Sequence, residues 1–394
     1  MATEHSGLRA GHIAGLDGMR AIAILAVISW HSALASQFPL EALGPVQALV
    51  TSGWAGVDLF FALSGFLITT LLLREEAERG RFSLSRFYLR RALRILPVFY
   101  AVFILLTFVF ARSSWFASVR VMHVWQKGSA LGLWPYATFW GNYFTGYFQG
   151  AFSQPVYNPG DAFLVFWSLC VEEHFYLLWP LVLFGVRSTR VRVSVALAVC
   201  LALPALRFFA WSNLWDAEST IHTASHYRLD SLLIGSLGAL MFDSACLRPR
   251  ALRIVGLSAA GVSAYLVADG SLSVRPAGNA LGASLGLSAV AVASTVALME
   301  LRRLPLAPWT RALEARPLRY VGRLSYAMYL IHFPMIDLGR RLYFSVPRSA
   351  TLGNFLVATC WFTLLSVAAA AVLHHAVERP FLQLKRRLGR AGSV

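Results

Sequence analysis

Several side chains that can move protons or hold anions lie inside apolar stretches of this sequence. The first stretch, LDGMRAIAILAVISWHSALA, carries Asp17, Arg20 and His31. Arg20 and His31 are eleven residues apart, so on an α-helix they share one face, about 16 Å apart along the axis. Asp17 precedes Arg20 by three residues and can pair with it. Because an imidazole can take a proton or attack a carbonyl carbon, His31 is a candidate for acid–base or nucleophilic chemistry.

Two later apolar segments carry groups that can meet His31. The segment WSLCVEEHFYLLWP puts Glu172 on one helical stripe with three further side chains, Ser168, Tyr176 and Trp179. Glu173 points about 100° away and is a lesser partner. The segment RLSYAMYLIHFP aligns Ser325 and Tyr329 with His332. We therefore expect two histidines and a carboxylate at a common depth.

The elements that must position these groups are membrane-spanning helices. Of the 394 residues 57% are hydrophobic and 14% are charged, whereas a soluble domain averages about 25% charged residues. Long apolar runs recur along the whole chain, which predicts an all-α, polytopic membrane bundle. The net charge of +16 comes from short basic clusters between those runs, so it indicates topology and not nucleic-acid binding. The four cysteines lie in apolar runs and are expected to be buried free thiols.

About ten spans can be placed along one transmembrane domain that covers residues 1–394. They lie at roughly 16–36, 53–73, 95–111, 163–185, 193–211, 228–244, 253–269, 279–300, 320–338 and 351–373. Arginine-rich loops alternate with poorer ones, so both the N-terminal segment (about 1–15) and the basic tail (about 380–394) are expected to be cytoplasmic.

Two segments leave the topology open. The first apolar run also resembles a signal peptide that ends near Ala35, although we favour an uncleaved span. The patch LGLWPYATFWGNYF would make an eleventh span, and we expect an interfacial or re-entrant piece there. Its aromatic residues, with a tyrosine that follows the patch, form either a belt at the lipid headgroups or a platform for a sugar. The residues concerned are Trp134, Tyr136, Trp140, Tyr143 and Tyr147.

Charged residues inside spans are expensive and usually mark a pathway, a site or an ion pair between helices. Asp58, Arg228 and Asp230 lie near the predicted outer ends of their spans, where they can pair or contact an external ligand. On the inner side, the segment RFYLRRALRILP aligns three arginines on one helical stripe, namely Arg86, Arg90 and Arg94. Arg91 lies beside this stripe. These arginines either anchor the protein to anionic lipid or recognise phosphate.

Other kinds of site receive little support. His222 and His226 are four residues apart but lack a clear third ligand, so no metal site is expected. A proton-coupled transporter or flippase would also use buried Asp, Glu and His residues. The sequence shows neither an inverted repeat nor paired broken helices, which many transporters have. A membrane scaffold or sensor is a third possibility, in which the polar stripes are structural.

Seven motifs in order, from residue 15 to 381, resemble the acyltransferase-3 family of membrane acyltransferases. They are GLDGMRAIAILAVISWH, GVDLFFALSGFLIT, RFYLRRALRILPVFY, WSLCVEEHFYLLWP, YRLDSLLIG, LSYAMYLIHFP and VERPF. The family's Arg-ten residues-His signature falls on Arg20 and His31, and its glutamate falls on Glu172. Its inner-side arginine motif falls on Arg90, Arg91 and Arg94.

The resemblance implies acyl transfer, most often of acetyl, from cytoplasmic acyl-CoA to a hydroxyl of an extracytoplasmic glycan. A small molecule or lipid is the alternative acceptor. Acetyl-CoA would be a co-substrate held by Arg20 and the arginine motif, with no tightly bound cofactor and no metal. His31 would act as general base or carry the acyl group, and Glu172 would orient it or stabilise its protonated form. Asp58, Arg228 and Asp230 would line the acceptor side, with His332 supporting the site from behind.

The resemblance also implies a location and a set of partners. We expect a multi-pass protein of the cytoplasmic membrane that contacts lipid, acyl-CoA and a glycan, with its oligomeric state left open. Some family members add a soluble esterase-like domain. Because this chain ends at Val394, we expect the membrane domain or a separate partner to complete acyl delivery.

Overall fold

The computed structural model describes residues 13–35, 38–110, 134–143, 163, 165–214, 217–244, 248–269, 279–343 and 350–391, and in these ranges the chain is helical with no strand. The first five long helices are α1 (Leu16–Ala35), α2 (Ala55–Arg79), α3 (Leu84–Ile104), α4 (Phe166–Gly185) and α5 (Thr189–Asn213). The next five are α6 (Ser225–Leu240), α7 (Pro249–Ala268), α8 (Leu287–Arg303), α9 (Arg316–Tyr343) and α10 (Leu352–Leu373). An amphipathic tail helix, α11 (Arg379–Ala391), follows.

Shorter elements connect or extend these helices. Three π-helical turns extend α3, begin α8 and join α10 to α11, and they are Leu105–Val109, Gly282–Gly286 and His374–Glu378. A 3₁₀ helix and four short α-helices complete the described elements, namely Leu40–Val46, Gln47–Thr51, Trp134–Ala137, Ala217–Thr223 and Pro308–Leu313. Local signals set some helix ends: Ser83 caps α3 by accepting a hydrogen bond from the Arg86 N–H at 3.3 Å, and Gly80 ends α2 with a φ of 72°.

The all-α class is confirmed, and each of the ten predicted segments overlaps one of the helices α1 to α10. Six helical stretches of the described chain are long and apolar enough to cross a membrane, and they contain α2, α3, α5, α7, α8 and α10. The other four long helices are α1, α4, α6 and α9, which carry most of the polar residues singled out above. Ten crossings and two cytoplasmic termini stay predictions.

The surface of the bundle supports a multi-pass membrane protein. Large apolar side chains point outward from the peripheral helices, as shown by Leu201 on α5, Leu257 on α7 and Val372 on α10, which are 68%, 75% and 66% exposed. In contrast, polar side chains such as His332 are fully buried. An apolar exterior around a polar interior is the arrangement that lipid solvent favours.

Close packing of small residues brings the central helices together. A Cβ atom on Gly65 of α2 would collide with the backbone carbonyl of Leu232 on α6, and one on Gly235 of α6 would collide with that of Ala62 on α2. This reciprocal approach is typical of helix pairs in membranes, where backbones meet through small residues. Helix α1 packs against both α2 and α9, so one face of α1 is turned toward α9.

Some of the sequence expectations concern residues outside the described ranges, and one needs correction. Of the segment 112–162, only residues 134–143 lie within the described ranges, so Tyr147 lies outside them. Within the described residues Cys170 and Cys200 are buried free thiols, as expected, and Cys246 lies outside them. Cys360 is free but exposed, because it lies on an outward side of α10.

Candidate active site

A cavity of about 860 Å³, a volume that includes the space at its mouth, lies among α1, α2, α3, α4 and α9. Glu378 of the π-helical turn after α10 lines it together with four arginines from three helices. The arginines are Arg20, Arg91, Arg94 and Arg323. Charge interactions link Arg94 to Arg20, Arg91 and Glu378. The structure therefore brings together three of the predicted arginines and adds Arg323.

Arg90 does not belong to this group, which corrects the predicted arginine stripe. Its guanidinium pairs with Glu75 of α2, with 2.8 Å between Nη2 and Oε2, and its side chain is 38% exposed. Arg86 also approaches Glu75, at 3.5 Å. Successive residues of a helix point about 100° apart. Arg91 therefore turns into the cavity while Arg90 turns toward the end of α2.

Glu172 lies in the wall of the same cavity and is held by two hydroxyls. The Ser64 hydroxyl donates to Oε1 at 2.9 Å, and the Tyr176 hydroxyl donates to Oε2 at 2.8 Å. The Arg91 guanidinium lies 4.5 Å from the centre of the Tyr176 ring, a cation–π distance. Glu173 is not among the lining residues, and within the described chain its Oε1 is buried without a hydrogen-bond partner.

The partner of His31 is His332. His332 Nε2 lies 2.9 Å from His31 Nδ1, and the ring centroids are 5.0 Å apart. His332 Nδ1 lies 2.7 Å from the carbonyl oxygen of Tyr329. In the described part of the chain no hydrogen bond joins His31 to Glu172, so the structure shows no direct contact through which Glu172 would orient His31. The physical reason is the packing of α1 against α9, which turns His31 toward His332.

Tyr329 connects the histidine pair to the cavity. It is a lining residue, its hydroxyl lies 2.6 Å from the Ser168 hydroxyl, and its ring centroid lies 5.7 Å from that of His332. Neither His31 nor His332 is itself among the lining residues. Arg323 and His332 are separated by about 13.5 Å along α9, from nine residues at 1.5 Å each. The pair therefore lies one helical turn beyond the lined cavity, opposite its arginine end.

The expected acceptor-side residues form buried ion pairs. Arg228 Nη2 lies 2.8 Å from Asp58 Oδ1, to which the Ser231 hydroxyl also donates at 2.9 Å. Asp230 pairs with Arg207 of α5 at 2.8 Å. Both pairs are fully buried, so their arrangement is that of structural pairs between helices and not of groups open to an outer solution. Sequence reasoning missed Arg207, whose position in an apolar run was the available signal.

The remaining predicted residues have simple surroundings. Asp17 and Arg20 approach to 4.0 Å, at the limit for an ion pair. His222 packs against Trp167 with ring centroids 4.7 Å apart, and His226 stacks on Tyr143 at 5.7 Å. Among the residues that the structure describes, no group of three or more His, Cys, Asp or Glu side chains is arranged to hold a metal ion.

Four polar lining residues were not singled out from the sequence, namely Ser64, Arg323, Tyr326 and Glu378. A signal existed for two of them, because Arg323 and Tyr326 precede Tyr329 at three-residue spacing on one side of α9. Ser64 and Glu378 lie in quoted motifs, but nothing local distinguishes them from ordinary packing residues.

Comparisons with known proteins match this chain over most of its length. The acyltransferase-3 family model, described as an acyltransferase domain, matches residues 13–375. The chain is 26% identical over 334 residues to O-acetyltransferase OatA of Staphylococcus aureus, covering 82% of this chain and 51% of the relative. It is 27% identical over 345 residues to peptidoglycan O-acetyltransferase OatA of Listeria monocytogenes, covering 83% and 50%.

The chain thus spans about half the length of these curated relatives. No solved structure matches it significantly. The family match covers the four arginines of the cavity and the histidine pair alike. This chain belongs to the acyltransferase-3 family.

Proposed function

We propose that this protein is a membrane O-acetyltransferase that moves an acetyl group from cytoplasmic acetyl-CoA to a hydroxyl of an extracytoplasmic glycan. The single observation that carries the proposal is a cavity with four arginines at one end and a hydrogen-bonded histidine pair beyond the other. A cavity between helices that is basic at one end and leads to a histidine pair at the other suits a long co-substrate with an anionic head and an uncharged reactive tip.

The arginine end suits the phosphates of CoA. Guanidinium groups bind phosphate through a planar fork of N–H donors, and four of them line the cavity with two acidic side chains, Glu172 and Glu378. The basic clusters that precede Arg91 and Arg323 in the chain support a cytoplasmic location for this end. The nucleotide would therefore enter from the cytoplasm, where acyl-CoA is available.

The wall between the two ends suits the pantetheine arm. The Glu172 carboxylate is held in place by Ser64 and Tyr176. It can accept a hydrogen bond from an amide N–H of the arm, which makes it a binding group in this proposal and replaces the role first expected of it. The arm is long enough, when extended, to cover the distance of about 13.5 Å between the depths of Arg323 and His332.

The acetyl group would then meet His31. A neutral imidazole nitrogen can take the proton of an acceptor hydroxyl as that oxygen attacks the thioester, or it can attack the thioester itself. Both routes end with an ester on the acceptor and free CoA. The name of the Listeria monocytogenes relative points to peptidoglycan as the acceptor, and we propose a cell-surface glycan of this class as the substrate.

Transfer from labelled acetyl-CoA in inverted membrane vesicles tests the proposal. Label is expected on glycan with the wild-type protein and with His375→Gln, a matched change of an exposed histidine. Label is expected to fall by at least about 100-fold with His31→Ala, because general acid–base catalysis contributes about 10²–10⁴-fold. Equal labelling by His31→Ala and wild type would refute the assignment of His31. Movement of unmodified glycan without label transfer would instead identify a transporter.

A further inference from the structure

We propose that His332 is a positioning residue that holds His31 in the tautomer whose Nε2 carries no proton, and that this Nε2 is the reacting atom. The inference rests on the proposed function for the reaction itself. The assignment of the proton rests on the geometry of the two rings alone. It names the reactive nitrogen, which the spacing of Arg20 and His31 in the sequence left undefined.

The proton count starts at Tyr329. Its backbone carbonyl oxygen can only accept, and it lies 2.7 Å from His332 Nδ1. His332 Nδ1 must therefore carry a proton. A neutral imidazole holds one N–H proton, so His332 Nε2 is an acceptor with a free lone pair.

The second step places the proton of His31. His332 Nε2 lies 2.9 Å from His31 Nδ1, within hydrogen-bond distance. Since His332 Nε2 accepts, His31 Nδ1 is the donor and carries the proton. Its own Nε2 is then bare and basic. The carbonyl of Tyr329 thus sets the state of His31 through His332, much as a second-layer acceptor sets the tautomer of a metal-bound or catalytic histidine.

Packing holds the two rings in this relation. His332 is fully buried, and its ring plane lies 28° from that of His31, so the two rings face each other edge to edge across the hydrogen bond. Phe333 packs against the His31 ring, with ring centroids 4.7 Å apart. A rotation of the His31 ring that exchanged its two nitrogens would break the 2.9 Å hydrogen bond inside a buried site, where an unmade hydrogen bond destabilises the rotated state.

An unprotonated Nε2 allows His31 to act either as a general base or as a nucleophile. As a base, it takes the hydroxyl proton while the acceptor oxygen forms a bond to the acetyl carbon, and the positive imidazolium keeps its Nδ1–H bond to His332. When the carbon–sulfur bond breaks, the CoA thiolate leaves and takes the proton back from Nε2. As a nucleophile, the same lone pair forms the bond to the acetyl carbon as the carbon–sulfur bond breaks and the CoA thiolate leaves. The acceptor hydroxyl then attacks the acetyl carbon, the carbon–nitrogen bond breaks, and the hydroxyl proton goes to the thiolate. His332 forms no bond to the substrate in either form, because one nitrogen of His31 does the chemistry.

Replacement of His332 by two different side chains separates positioning from packing. His332→Leu removes the acceptor, whereas His332→Gln puts an amide oxygen the same number of bonds from Cα as Nε2. With wild-type acetyl transfer as reference, kcat is expected to fall at least about 100-fold in His332→Leu, with KM for acetyl-CoA within about threefold. His332→Gln is expected to keep kcat within about tenfold of wild type. His375→Leu and His375→Gln are the matched controls and are expected to match wild type.

Two outcomes of this assay would overturn the inference. One is wild-type kcat in His332→Leu. The other is a His332→Gln protein that is folded, binds CoA and is no more active than His332→Leu. If the wild type itself transfers no acetyl group, the proposed function fails, and the inference is then judged by the spectroscopic measurement alone.

That measurement is solid-state NMR on membrane-embedded wild-type protein with ¹⁵N-labelled histidine. The His31 signals are assigned by their loss in His31→Asn. A protonated Nδ1 and an unprotonated Nε2 are expected for neutral His31. A neutral His31 that is protonated on Nε2 would overturn the inference whatever the enzyme assay shows.

Discussion

Two adjacent arginines of α3 provide the sharpest test of the cavity. Arg91 lines the cavity and lies on the Tyr176 ring, whereas Arg90 is paired with Glu75 and is not among the lining residues. If the cavity holds the phosphates of CoA, Arg91→Gln is expected to raise KM for acetyl-CoA strongly. Arg90→Gln, the same chemical change one residue earlier, is expected to have little effect.

The magnitudes follow from the two environments. A hydrogen bond to a charged group contributes about 1.5–3 kcal/mol, and each 1.4 kcal/mol is about a factor of ten, so loss of the Arg91 contact should raise KM by about 10- to 100-fold. Arg90 is 38% exposed, and exposed ion pairs contribute about 0.2–1 kcal/mol. Even if the whole of that contribution were needed for binding, the change would stay below about sixfold.

The assay is acetyl transfer in inverted vesicles at varied acetyl-CoA, together with direct binding of labelled CoA to the purified protein. Both variants should retain the amount of folded protein seen for the wild type. A change in KM for Arg90→Gln as large as that for Arg91→Gln would refute the placement of the donor site. Unchanged CoA binding in Arg91→Gln would refute it as well.

The remaining predictions concern stability, measured as the thermal unfolding midpoint in detergent. Asp58→Asn leaves Arg228 buried beside a neutral partner and should destabilise the protein by about 3–5 kcal/mol. The double variant Asp58→Leu with Arg228→Met removes both charges and should destabilise the protein less. Equal destabilisation by the two variants would contradict a pair held mainly by charge. Gly65→Ala should lower the midpoint, because the new Cβ would collide with the Leu232 carbonyl. Gly261→Ala on α7, which faces open space, should raise it slightly, and the opposite order would contradict the α2–α6 crossing.

Hydrophobic runs along the chain were sufficient to locate the helices. A span needs about 20 apolar residues, and this requirement is local. For that reason the ten predicted segments overlap ten helices of the described structure. The phase of side chains on one helix is local too, which is why the shared face of Arg20 and His31, and the alignment of Glu172 with Tyr176, could be predicted.

Which helix faces which was beyond the sequence. Glu172 was expected beside His31 because both lie deep in their spans, yet α1 turns His31 toward His332 of α9. Asp230 likewise pairs with Arg207 and not with Arg228. In lipid, apolar faces gain little by meeting one another, so neighbours are chosen by close-fitting small residues and by polar pairs that form only in three dimensions.

The sequence by itself therefore determined the class of protein, its helices and the depth of each polar group within its own helix, because these depend on hydrophobicity and helical period. Only the tertiary structure decided that Arg91 and not Arg90 faces the cavity, that Glu172 is held by Ser64 and Tyr176, and that His31 contacts His332. Those facts depend on the rotation of each helix against its neighbours, which is set by packing between residues far apart in the chain.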